Sequence, residues 1–148
     1  MEPRKRPLCD HDLIQEFIAR CATARLGLLS MGEPYVVPVN FVYHEGSVFF
    51  HCACEGRKHG ALSSGERVCV EFDETLGTDV PGADTWYRSV IAWGEPRFVE
   101  DIPGKKRVLE MLCLKYLGER RRITDSMAEG TCVVEIPLDT VTGKENLP

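Results

Sequence analysis

Residues 35–74 read YVVPVNFVYHEGSVFFHCACEGRKHGALSSGERVCVEFDE, and this stretch decides the fold. Two runs rich in β-branched and aromatic residues flank His44-Glu45-Gly46-Ser47, a polar turn containing glycine. That pattern predicts a β-hairpin. The second run leads into Glu55-Gly56-Arg57-Lys58, which opens a short helical segment ending near Gly65. A third apolar run, Val68 to Phe72, predicts a return strand. Arg57 and Lys58 fall in the first turn of the helix, where the backbone dipole already disfavours cations. An anion held between them and the free N–H groups would reverse that penalty. The alternative is a pair of solvated surface cations, at a cost of about a few tenths of a kcal/mol.

Working outward, Asp10 or Asp12 can cap a helix running to about Cys21, with Leu13, Ile14, Phe17, Ile18 and Cys21 on one face. Arg25 to Met31 reads as a strand and Gly32-Glu33-Pro34 as a turn. Pro38 cannot donate to a ladder, so its strand lies at an edge or carries a bulge. Thr75 to Asp84 reads as a loop from its glycines, proline and aspartates. Thr85 to Val99 is a long strand-forming run bent at Gly94 and Pro96. Asp101 caps a further helix with Pro103 in its first turn and Gly118 at its end. Its apolar face uses Val108, Leu109, Leu112, Cys113 and Tyr116. Thr131 to Pro137 is a last strand, and Leu138 to Pro148 a tail. Hairpins without regular strand–helix alternation favour an α+β fold, an antiparallel sheet closed toward a barrel with helices outside.

The chain of 148 residues is read as one domain, 1–148, with a flexible N-terminus over 1–9. The formal net charge of −5 argues against a nucleic-acid footprint. No apolar run reaches the roughly 20 residues that span a bilayer. The basic start (Arg4, Lys5, Arg6) lacks the apolar segment of a signal peptide. Seven scattered cysteines, an odd number mostly inside apolar runs, fit packing in a reducing interior and a cytoplasmic location.

His51, Cys52, Cys54 and His59 are close in sequence but lack a second CxxC or HxxxH set, so core packing is preferred to zinc for the two cysteines. His51 shares a strand face with Ser47, Phe49 and Ala53, just before the basic corner. It is either a satisfied core histidine or a group touching whatever the corner anchors. Asn40 is the one amide in the Val36–Tyr43 run and needs partners if buried. Arg88 and Ser89 interrupt Trp86–Trp93 and fit either a site or an outward polar pair.

The run PYVVPVNFVY–HEG–SVFFHCACEGRKHGAL, with YRSVIAWGEPRFVED and the terminal TGKEN, resembles the FMN-binding split-barrel superfamily of pyridoxamine 5′-phosphate oxidase. The nitroimidazole-resistance branch is the nearer match. The resemblance runs from about Ile14 to Asn146. It implies an antiparallel, six-stranded split β-barrel with peripheral helices. It also implies a homodimer holding FMN between its subunits. Val37, Pro38, Val39, Asn40 and Phe41 would pass the flavin ring with backbone contacts, and His51 and Cys52 would flank it. Arg57 and Lys58 would hold the phosphate, with Arg88 and Ser89 near the site. In the nitroimidazole-resistance branch a histidine at the place of His51 faces the substrate side of the flavin. His51 is thereby the implied catalytic residue, in an oxidoreductase passing electrons from an unidentified reductant to a small-molecule acceptor. Lys144 and Glu145 match the terminal motif, while Val141 and Leu147 stand where tryptophans are expected. The substrate-binding residues of pyridoxamine phosphate oxidases have no clear counterpart, so that activity is not assigned. The competing reading is a flavin- or haem-binding split barrel without turnover, in which His51 could ligate iron.

Overall fold

In a computed structural model of the chain, residues 5–148 are described; residues 1–4, which carry part of the basic start and of the expected flexible N-terminus, lie outside them. Ten strands and four helices follow in the order β1 (Lys5–Leu8), α1 (His11–Arg20), β2 (Ala24–Ser30), β3 (Glu33–Val39), β4 (Val42–His44), β5 (Ser47–Cys52), α2 (Arg57–Ser63), β6 (Val68–Asp79), β7 (Asp84–Gly94), β8 (Arg97–Val99), α3 (Ile102–Leu117), α4 (Asp125–Glu129), β9 (Cys132–Pro137) and β10 (Thr140–Asn146). They form a six-stranded sheet, β1-β10-β7-β6-β2-β3, and a four-stranded sheet, β4-β5-β9-β8. Every pairing is antiparallel. The two sheets do not close, because β3 and β4 are each left at an edge. This is a split barrel.

Local chemistry explains most of the elements. Asp10 caps α1 by accepting from Leu13 N–H at 3.1 Å, and Asp101 caps α3 by accepting from Gly104 N–H at 2.8 Å. Gly118 ends α3 in the left-handed conformation with φ 74°. Ile14, Phe17, Ile18 and Cys21 are buried as the periodicity requires, although Leu13 is exposed. Phe41, Phe50 and Phe72 fill the barrel, all fully buried. The rings of Phe41 and Phe72 meet edge-on at 5.2 Å. Burial of each such ring stabilises the fold by roughly 2–3 kcal/mol.

Four expectations are corrected. Residues 5–8 are not a flexible lead but strand β1, paired with β10 from Lys5↔Asn146 to Leu8↔Gly143. The tail that follows β9 supplies β10, so the Lys144-Glu145 motif lies in a ladder against Ser89 and Arg88. The loop over 75–84 shrinks to the turn Val80–Ala83, since β6 runs on to Asp79 and pairs with β7 through an irregularity between Thr75 and Gly77. Gly77 supplies φ 156° there, which lets the ladder resume. Finally, the Val36–Tyr43 run is not one strand. It divides at Asn40–Phe41, with β3 in the large sheet and β4 in the small one.

Across the outward face of the large sheet one row runs Pro38, Arg25, Glu71, Ile91, Thr142. Arg25 Nη1 is 2.7 Å from Asp73 Oδ2 and 3.6 Å from Glu71 Oε1. Burial, then the neighbouring Asp73 carboxylate, raise Glu71 from 4.5 to about 7, against the pull of Arg25. A raised acid favours the folded state while it keeps its proton. Stability is therefore fully present below 4.5 and is lost as pH climbs through about 7. Glu71→Gln should raise the melting temperature at about pH 8 and leave it unchanged near pH 4, by about 1 kcal/mol once solvent screening is discounted. Equal melting shifts at both pH values would contradict this.

Candidate functional site

Strand β5 alternates its side chains between two environments. Val48, Phe50 and Cys52 are buried in the barrel, while Phe49 and His51 point to the other side. Two residues past Cys52 the chain enters a short loop, and Gly56, with φ 107°, turns it into α2. Gly56 offers no capping side chain and the first turn contains no acid. Its charged residues are Arg57 and Lys58, so the corner is electropositive, as its sequence implies.

The Lys58 charge acts on two residues of β5. Crowding of the His51 ring by protein, and secondarily the Lys58 ammonium, hold the imidazole below its ordinary value. The side chain remains open to solvent and is neutral at pH 7. Burial raises the Cys52 thiol, with Lys58 opposing. The ammonium thus lies within electrostatic reach of both residues. Arg57 turns the other way. Its Nε donates to Ser30 Oγ at 3.0 Å, and its guanidinium lies over the Tyr35 ring at 4.3 Å. It borders a cavity of about 650 Å³ with Ser30, Gly60, Ala61 and Ser64. The two cations therefore bracket the corner from opposite sides, one beside His51 and one against β3.

Edge strand β3 forms the adjoining wall. Its unpaired side accommodates Pro34 and Pro38, as expected for proline in a sheet. Val36, Pro38 and Asn40 are exposed, Val37 is half-buried, and Val39 and Phe41 are buried. Asn40 therefore has no buried amide to satisfy. The Asn40–Phe41 corner is held from behind by the end of α3. Tyr116 Oη accepts from Phe41 N–H at 2.9 Å and donates to Ala22 O at 2.7 Å. Lys115 Nζ donates to Cys21 O at 2.7 Å and Phe41 O at 3.0 Å, and lies 3.8 Å over the Phe41 ring. Burial lowers the Lys115 ammonium and raises the Tyr116 phenol. These bonds capture the backbone groups that leave the ladder when the run breaks between sheets.

Arg88 and Ser89 are not brought to this corner within the chain, since β6 and β2 stand between β7 and β3. Arg88 Nε donates to Glu145 Oε2 at 3.2 Å, and Arg6 Nε donates to Glu145 Oε1 at 3.1 Å. Asn146 is fully buried and donates to Asp84 Oδ1 at 3.1 Å and Thr85 O at 2.6 Å. The terminal motif therefore locks the β10–β7 ladder. Sequence reasoning missed Ser30, Tyr35 and Lys115 as parts of the site. Ser30 had a signal: it shares the inward parity of Leu26 and Leu28, where a hydroxyl needs a partner. Lys115 had none, because its partners are backbone carbonyls distant in sequence. Among the described residues no group of three or more His, Cys, Asp or Glu is arranged to hold a metal ion.

A family model described as pyridoxamine 5′-phosphate oxidase matches residues 10–145, nearly the whole of the fold just described. The chain belongs to this family. Among solved structures, the family fold here is similar to a putative 5-nitroimidazole antibiotic resistance protein from Bacteroides thetaiotaomicron. The two share 27% identity at a TM-score of 0.84, over 95% of this chain and 87% of that one. A FAD-binding protein from Mesorhizobium loti shares the fold at 21% identity and TM-score 0.71, over 95% of this chain and 97% of that one. A FAD- and haem-binding protein from Mycobacterium smegmatis does so at 16% identity and TM-score 0.80, over 97% of this chain and 74% of that one. No curated protein sequence matches. Among the described residues no helix is long and apolar enough to cross a membrane.

Proposed function

We propose that this member of the pyridoxamine 5′-phosphate oxidase family binds FMN as a homodimer and acts as an oxidoreductase toward small nitroaromatic acceptors. The observation that carries this reading is the β5–α2 corner: a neutral, accessible imidazole at His51 within reach of the Lys58 charge, joined to the unpaired β3 edge through Arg57 on Tyr35. Its residues fit the group. Lys58 and Arg57 provide charge for a phosphate, the uncapped first turn of α2 provides N–H donors, and the free β3 edge provides backbone groups for a heteroaromatic ring. The flavin, when bound, supplies hydride or electron transfer to the acceptor.

The chain's own residues do the rest. Lys115 and Tyr116 fix the Phe41 backbone, so the Val37–Phe41 wall is rigid before any ligand arrives. His51, neutral and open to solvent, can donate a hydrogen bond to a nitro oxygen or hold a proton at one ring nitrogen. A second copy would cover the outward face of the large sheet, where Val36 is 66% exposed in line with Cys69 and Trp93. It would also enclose the open side of the groove. Nitroaromatics are preferred as acceptors because the similar protein from Bacteroides thetaiotaomicron is described as a putative 5-nitroimidazole resistance protein.

The test is an absorption spectrum of the purified protein, before and after incubation with FMN and gel filtration. The expected result is a flavin spectrum that bleaches with dithionite and recovers on addition of a nitroimidazole. A protein that stays colourless sinks the flavin reading. A Soret band sinks it in favour of haem on His51.

A further inference from the structure

Three cysteines are gathered where β5 ends beside the start of β9, on the side of the loop leading to α2. Cys52 and Cys132 are direct partners in the antiparallel register. Cys54 lies two residues beyond, and its Sγ donates to Gly130 O at 3.8 Å, two residues ahead of Cys132 on the segment that enters β9. All three are free thiols. Cys52 is buried, Cys132 half-buried and Cys54 exposed. Burial raises the Cys132 thiol, and Cys54 and Cys52 are the thiols that act on it and raise it further. Cys54 is past the end of β5, in the loop before α2, whereas Cys132 is fixed in the β5–β9 ladder.

We propose that Cys54 and Cys132 are a peroxide-sensitive dithiol that closes to a reversible disulfide. The assignment does not rest on the flavin reading. Hydrogen peroxide oxidises the exposed Cys54 sulfur: the thiol becomes a sulfenic acid, the O–O bond breaks and one water leaves. The Cys132 sulfur then attacks that sulfur. The S–S bond forms, the S–O bond breaks, and the hydroxide leaves with the Cys132 proton as a second water. In sum, two thiols and one peroxide give one disulfide and two waters. Burial and the adjacent thiols raise Cys132 to about 11, so it stays a protonated thiol that peroxide does not attack first, and it resolves slowly because little of it is thiolate at neutral pH. The bond would tie the loop that leads into α2, and so to Arg57 and Lys58, to the start of β9.

The experiment treats the full chain with a small excess of hydrogen peroxide, alkylates it, and maps the peptides by mass spectrometry. The expected result is loss of two alkylatable thiols out of seven and a Cys54–Cys132 peptide pair that dithiothreitol releases. Exposed Cys9 should remain alkylatable under the same dose. In Cys132→Ser the disulfide should vanish and a dimedone adduct should accumulate on Cys54. Linkage of Cys52 to Cys132, linkage of Cys54 between two chains, or oxidation of Cys9 as fast as Cys54 would each overturn the proposal. The parent protein carries the main readout, so poor folding of a variant cannot mask the result.

Discussion

Replacing Arg57 and Lys58 together by alanine weakens FMN binding by about 100-fold or more while leaving riboflavin binding nearly unchanged. Each charge-assisted hydrogen bond to a phosphate contributes roughly 1.5–3 kcal/mol, and two such contacts are removed. Riboflavin lacks the phosphate, so its affinity measures the rest of the groove. The two single variants should differ. Lys58 sits near His51 and Cys52, and its loss should also let the His51 imidazole rise toward its ordinary value. Arg57 is braced on Ser30 and Tyr35, so Arg57→Ala additionally loosens the junction of α2 with β2 and β3. Fluorescence titration with FMN and riboflavin checks the argument. Parallel loss of both ligands would assign the two cations to folding, and unchanged FMN affinity would remove the phosphate from this corner altogether.

Gly94→Ala should destabilise the fold by about 3 kcal/mol or more, the upper range for forced overpacking. A Cβ on Gly94 would lie 2.1 Å from Pro137 O and 3.0 Å from Ile136 Cγ2. Neither neighbour can yield easily. Pro137 ends β9, Ile136 is fully buried, and Asp139 N–H donates to Trp93 O at 3.0 Å just beside them. Gly94 is where the chain leaves the large sheet for β8 of the small one, and its backbone packs directly on β9 there. For a domain of this size the loss corresponds to a fall of about 10 °C in melting temperature. A variant melting within about 2 °C of the parent would show that the sheets can part at this point without cost.

Local chemistry was readable along the chain. The caps at Asp10 and Asp101, the stop at Gly118, the bend at Gly94–Pro96 and the edge position implied by Pro38 all follow from short-range sterics and hydrogen bonding. The positive corner at Gly56-Arg57-Lys58 was readable for the same reason, since dipole and charge lie within one turn. What escaped reading is non-local. β1 and β10 are weakly patterned by themselves; Lys5–Leu8 and Thr140–Asn146 become strands because each completes the other's ladder. In the Val36–Tyr43 run only the amide of Asn40 marks the break, because the groups that hold the Phe41 backbone, Lys115 and Tyr116, are some 75 residues away. Separation in sequence also hides the Arg57–Ser30 bond, 27 residues apart, and the approach of Cys54 to the start of β9. Sequence alone therefore determined the locally specified helices and hairpins, the family and the charged corner. Only the packing of two sheets against α3 decided which backbone edge stays open and which side chains surround it, because long-range hydrogen bonds and burial, rather than propensity, set those positions.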